Sequence, residues 1–196
     1  MSFVSIIAST QRVSAVSDGT LVEVNGEGHI TALPGAKPSL IRISDTQLVA
    51  CTGSASVLRR LKERFPYKKE PYVIDKEIRD ELKQEACSVP FSQQDVLIAV
   101  AEVTAGVVCR IISNQPGAAW QTLVPSPNRL AALYLAGRAV NEEEIKEIAA
   151  EADRQLQLFG KETPEQILNV QKSLNRFVAG KDAAVGQRIF KMVMEK

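Results

Sequence analysis

Histidine is nearly missing from this 196-residue chain: His29 is the only one. It falls in a strand-like segment beside a turn, where it reads as a surface or packing residue rather than a catalyst. Cysteine is scarce too, and Cys51, Cys87 and Cys109 are an odd number at wide spacings. They form neither a zinc pattern nor a disulfide framework, which points to a reducing cytoplasm. No run of about 18 apolar residues is present, so no segment is a candidate membrane span. No basic patch precedes an apolar stretch at the N-terminus, which argues against a secretory signal. A formal net charge of +1 argues against a dedicated nucleic-acid binder, because phosphate binding needs a surplus of Lys and Arg. The basic pairs Arg59-Arg60 and Lys68-Lys69 are balanced by Glu63 and Glu70 and read as solvated helix ends. Neither a metal nor an organic cofactor is implied.

What the chain does have is enough apolar material, 45% of its residues, to bury a core without disulfides or metals. Its length fits one domain. Strand patterns open it: Phe3 to Ser9, Val13 to Ser17, Leu21 to Val24, His29 to Leu33, Leu40 to Ile43 and Leu48 to Thr52. Asn25-Gly26 supplies a tight-turn dipeptide between the third and fourth of these. The period then lengthens. Ser54 caps a helix through Phe65, Pro66 closes it, and a second helix runs from about Asp75 to Cys87. Strands return at Val96 to Val103, Val107 to Ser113 and Trp120 to Val124. After Pro125-Ser126-Pro127 the pattern predicts helices at Arg129 to Arg138, Glu142 to Phe159, Pro164 to Val178 and Ala183 to Glu195. Asn141 and Thr163 serve as N-caps, with Pro164 at the first helical position. Strands, two helices, strands and then helices make an α+β protein with helices over one or both faces of antiparallel sheets.

Ser2-Phe3-Val4-Ser5-Ile6-Ile7 followed by Val16-Ser17-Asp18-Gly19 resembles the opening of the proteasome-type N-terminal-nucleophile hydrolases, which include proteasome β-subunits and the HslV-like peptidases. The stretch from Ile43 to Gly53 resembles that family's strand pair leading into its first helix, and Asp95 to Ser113 its later hairpin. This resemblance extends over roughly residues 2–150 and is lost beyond about Phe159. It implies a four-layer αββα sandwich of antiparallel sheets with an additional helical C-terminus. The whole chain, 1–196, is then one proteasome-like domain, with a core over about 2–159 and the helical extension over about 160–196.

The resemblance also implies a chemistry. With Met1 removed, Ser2 would present a hydroxyl nucleophile beside its own α-amine, a base of pKa about 7.7–8.0. Asp18 takes the place of the carboxylate that supports the charges there. The family's strand lysine falls on Ser39, with Lys37 two residues earlier on the same strand face and able to substitute if Pro38 shifts the register. The oxyanion-binding glycine falls on Cys51, or on Gly53 if the loop is one residue shorter. Apolar Leu48-Val49-Ala50 makes Cys51 a buried, inert thiol rather than a nucleophile. The Gly-Ser-Gly before the third helix corresponds to Pro125-Ser126-Pro127, leaving Ser126 as the retained type.

Two functions follow. One is hydrolysis of amide bonds in peptides or small amides, with Ser2 as nucleophile. The other is a catalytically inactive assembly or binding protein on the same scaffold, suggested by the missing lysine, by Cys51 and by the helical C-terminus. A homo-oligomer suits either, and the Leu130, Leu133, Tyr134, Leu135 stripe is a candidate contact face whose plainer reading is intramolecular core. Nothing in the sequence identifies an ATPase partner.

Overall fold

Most strands of this protein are apolar at successive positions, the pattern expected where both faces of a sheet are covered. The computed structural model describes residues 2–24, 30–136 and 141–196. Along the first part of the chain come β1 (Val4–Ala8), β2 (Arg12–Asp18), β3 (Thr20–Val24), β4 (Ile30–Ala36), β5 (Leu40–Ser44), β6 (Gln47–Thr52), α1 (Ala55–Arg64) and α2 (Lys76–Cys87). Then follow β7 (Leu97–Val103), β8 (Val107–Ser113), β9 (Gln121–Leu123), β10 (Ala131–Leu135), α3 (Glu142–Phe159), α4 (Pro164–Ala179) and β11 (Ile189–Glu195). One antiparallel sheet has the order β10-β1-β2-β11, and the other runs β5-β6-β7-β8-β9. The β3-β4 hairpin stands apart from both.

Strand alternation sorts the side chains into three cores. Val4, Ile6 and Ala8 of β1 meet Leu48, Ala50, Ala99 and Ala101 between the sheets. On the other face of the same strands, Phe3 and Ile7 pack under α3 and α4 with Ile148, Val170 and Leu174. Val49, Cys51, Ile98 and Val100 look outward and pack against Val57, Leu61 and Leu82 of α1 and α2. The result is the expected four-layer αββα sandwich. Local signals place the helix starts where the sequence put them. Ser54 Oγ accepts from Val57 N–H at 3.3 Å and Asp75 Oδ1 from Ile78 N–H at 3.0 Å, while Asn141 and Thr163 each close a capping box. Among the described residues no helix is long and apolar enough to cross a membrane.

Two expected helices are strands. The segment read as a helix over Arg129 to Arg138 contains β10, which pairs with β1 in the register Ile6↔Leu133. Its apolar positions satisfy either period, and burial decides between them. Placing Leu133 and Leu135 in the inter-sheet core stabilises the chain by about 2 kcal/mol each. Intrinsic preferences span only about 1 kcal/mol. The same residues are therefore intramolecular core, not a helical contact face. The segment read as a helix over Ala183 to Glu195 ends in β11, which pairs with the outer edge of β2 along its whole length, from Asp18↔Ile189 to Arg12↔Glu195. An uncovered β2 would expose a row of unpaired N–H and C=O groups, and β11 removes that edge.

Residues 160–196 are thus no helical extension. Besides the β11 pairing, α4 sends buried Gln171 into the first sheet, where its Nε2 donates to the carbonyls of Ser5 and Ser14 at 2.9 and 3.1 Å. Ser14 Oγ donates back to Gln171 Oε1 at 2.7 Å. This C-terminal fifth is part of the sandwich.

Candidate active site

The face shared by Val4 and Ile6 carries back along the chain to Ser2, so this half-buried residue enters β1 from the side that looks into the gap between the sheets. Ser39, buried at the start of β5, donates its hydroxyl to Ser2 Oγ at 2.7 Å. Both backbone groups of Ser39 are held as well. Its N–H donates to Ser17 Oγ at 3.3 Å, and its carbonyl accepts from Cys51 N–H at 3.0 Å. Three serines, Ser2, Ser17 and Ser39, therefore meet at one end of the inter-sheet gap.

Asp18 ends β2 with no exposed surface. Phe3 N–H donates to its Oδ1 at 2.8 Å, and Gly186 N–H to its Oδ2 at 3.0 Å. The Asp18 N–H in turn donates to the Phe3 carbonyl at 3.1 Å. One carboxylate thus ties the residue after Ser2 to the loop between α4 and β11. Asn175 of α4 supports that loop by donating to the Gly186 carbonyl at 2.8 Å. In the same loop, Asp182 accepts from Ala184 N–H at 2.8 Å through Oδ1, while its buried Oδ2 has no partner among the described residues.

The other expected site residues take different places. Lys37 flanks the site through its backbone, its N–H donating to the Gly19 carbonyl at 2.9 Å. No hydrogen bond or ion pair engages its ammonium among the described residues. Ser39 itself, at the position counted for the family's lysine, makes the contact to Ser2. The Cys51 N–H is committed to Ser39 in the β5-β6 ladder, so it is not turned toward a substrate oxygen. Gly53 serves packing: at φ 91° a side chain is strained, and a Cβ there would lie 1.9 Å from the Asp95 carbonyl oxygen. Ser126 is exposed in the turn between β9 and β10, where it exchanges backbone hydrogen bonds of 2.9 and 3.0 Å with Arg129. It does not precede the third helix, because β10 intervenes; the residues before α3 are 136–141 and include no serine. His29 and the Asn25-Gly26 turn lie outside the described residues.

Burial pushes the Cys51 thiol up to about 12 and does the same to Cys109. Burial disfavours the charged form, so the thiolate of either residue appears only near that pH and is negligible at pH 8. Alkylation of the folded protein with iodoacetamide at pH 8 is expected to modify the exposed Cys87 alone, with Cys51 and Cys109 reacting only after denaturation. Peptide mass mapping checks this, and rapid modification of Cys51 in the native state would make it a nucleophile after all.

Sequence reasoning named Ser2 and Asp18 as candidates and matched Ser39 to the family's lysine, but passed over what Ser39 touches. It also missed Ser17, Asp182 and Gly186. Gly186 is 168 residues from Asp18, and no local pattern signals that contact. Among the described residues no group of three or more His, Cys, Asp or Glu side chains could hold a metal ion.

No protein-family model matches the chain, and no curated protein matches its sequence. Solved structures do match. Eukaryotic HslV from Trypanosoma brucei superposes with a TM-score of 0.58 at 14% identity, covering 99% of this chain and 99% of that one. Anbu, an ancestral beta-subunit, from Yersinia bercovieri gives a TM-score of 0.62 at 13% identity, covering 100% of this chain and 82% of that one. The chain has the proteasome-type fold of these two proteins. The likeness takes in residues 160–196, although the sequence resemblance was expected to end near Phe159.

Proposed function

We propose, starting from this proteasome-type fold, that the chain is an N-terminal-nucleophile hydrolase of amide bonds in peptides or small amides, with Ser2 as nucleophile after loss of Met1. The observation that carries this reading is the setting of Ser2 at the mouth of the inter-sheet gap. Its Oγ accepts the Ser39 hydroxyl at 2.7 Å, and a fully buried carboxylate, Asp18, grips the next residue's N–H. Once Met1 is gone, the α-amine, with an ordinary pKa of about 7.7–8.0, is partly neutral at pH 7. It takes the Ser2 hydroxyl proton as Oγ bonds to the substrate carbonyl carbon, then gives that proton to the leaving amine as the C–N bond breaks. Water, deprotonated by the same amine, hydrolyses the acyl-enzyme. Asp18 anchors the backbone that carries both groups, and its negative charge favours the ammonium intermediate.

The test is intact mass of the native chain, followed by treatment with a β-lactone. Loss of Met1 and a covalent adduct on Ser2 are expected. Retained Met1 would block the base and end the proposal.

A second reading rests on its own observation: the Cys51 N–H is bonded to the Ser39 carbonyl, and no hydrogen bond or ion pair engages the Lys37 ammonium among the described residues. In that reading the chain is a catalytically inactive assembly or binding protein, and a processed chain that never labels would select it. Because Anbu is described as a beta-subunit, we extend assembly to this chain and expect a homo-oligomer under either reading. Sedimentation as a strict monomer would remove that part. A cytoplasmic location is proposed from the cysteine usage alone.

A further inference from the structure

We infer that Ser39 is a catalytic residue: its neutral hydroxyl is the hydrogen-bond donor that steadies charge on Ser2 Oγ. The inference rests on the hydrolase reading and adds to it the group that acts directly on the nucleophile's oxygen. Ser39 is 5% exposed, and its backbone N–H and carbonyl are fixed by Ser17 and Cys51. With the main chain held from two sides, only the hydroxyl is left to turn, and it points to Ser2 at 2.7 Å.

The direction of that hydrogen bond matters. Ser2 Oγ accepts, so its own proton remains free for the α-amine. As the proton leaves, negative charge grows on Oγ, and a bond to a charged oxygen is roughly twice as strong as one to a neutral oxygen. The stabilisation is therefore larger in the transition state than before it, as catalysis requires. Ser39 acts again in deacylation. Water adds to the acyl carbon, the bond from carbon to Ser2 Oγ breaks, and the departing Oγ receives the Ser39 hydrogen bond before the ammonium reprotonates it. Three backbone donors of this region are bound elsewhere: Phe3 N–H to Asp18, Cys51 N–H to Ser39 and Gly19 N–H to Arg188.

The experiment measures inactivation of the Met1-free chain by a β-lactone, separating the binding constant from the maximal rate, for wild type, Ser39→Ala and Ser39→Thr. Ser39→Ala is expected to lower the maximal rate about tenfold with the binding constant and melting temperature unchanged. Ser39→Thr, which keeps the hydroxyl, is expected to restore most of it. If the wild type labels and Ser39→Ala labels equally fast, or if Ser39→Thr is as slow as Ser39→Ala at equal melting temperature, the role of Ser39 is overturned while Ser2 stands. If the processed wild type does not label at all, the hydrolase reading falls and takes this one with it.

Discussion

Ser2→Ala is expected to abolish hydrolysis and covalent labelling, with a rate loss of at least about a thousandfold, while the protein melts as the wild type does. The magnitude follows from what single-nucleophile deletions remove when one residue makes and breaks the covalent bond. The unchanged stability follows from position. Ser2 is half-buried ahead of β1, and the one side-chain partner it leaves, the Ser39 hydroxyl, can turn to water. Alanine is as small as serine, so removal of Met1 proceeds alike and the two proteins differ only in the hydroxyl. Ser2→Thr is the matching control and keeps activity. Turnover of a peptide substrate and differential scanning calorimetry check both halves. An alanine variant that still turns over substrate would move the chemistry away from residue 2.

Asp18→Ala is expected to act on the fold as well as on the site. The substitution leaves the Phe3 N–H without its acceptor in the buried interior, and the Gly186 N–H without its acceptor in a partly exposed loop. A buried donor without a partner costs about 1–3 kcal/mol, so the loss is about 2 kcal/mol, most of it from Phe3. For a chain of this length that lowers the melting temperature by about 4–8 °C. Asp18→Asn keeps one acceptor oxygen but turns an NH₂ toward the other N–H, so it falls between wild type and alanine in stability. Activity falls in both variants because Ser2 is carried by the residue that Asp18 holds. Calorimetry at pH 7 reads the ranking. An alanine variant as stable as wild type would show that the carboxylate is not the clamp described above.

The contrast between caps and strands explains what the sequence disclosed. Ser54, Asp75, Asn141 and Thr163 hold N–H groups three residues ahead, so a few neighbouring letters announce each helix start. β7 and β8 were equally plain, since their apolar runs have no competing helical spacing. Residues 131–135 and 189–195 were not, because Ala, Leu and Met suit a helix and only partners more than a hundred residues away make them strands. The site divides in the same way. Ser2, just ahead of β1, and Asp18, at the end of β2, were named because two short stretches of neighbouring residues resemble the family's opening. Ser39 was reached by counting back from Ile43, yet its bond to Ser2 depends on how one sheet lies over the other. Gly186 sits in the segment read as a helix from Ala183, and Asp182 in the short gap before it, so most of this loop was hidden.

The Asp18–Gly186 hydrogen bond fixes when this centre can exist during biosynthesis. Asp18 Oδ2 gains its donor only once Gly186, 168 positions further along the chain, has been made. Until then the carboxylate that grips the Phe3 N–H lacks its second tie.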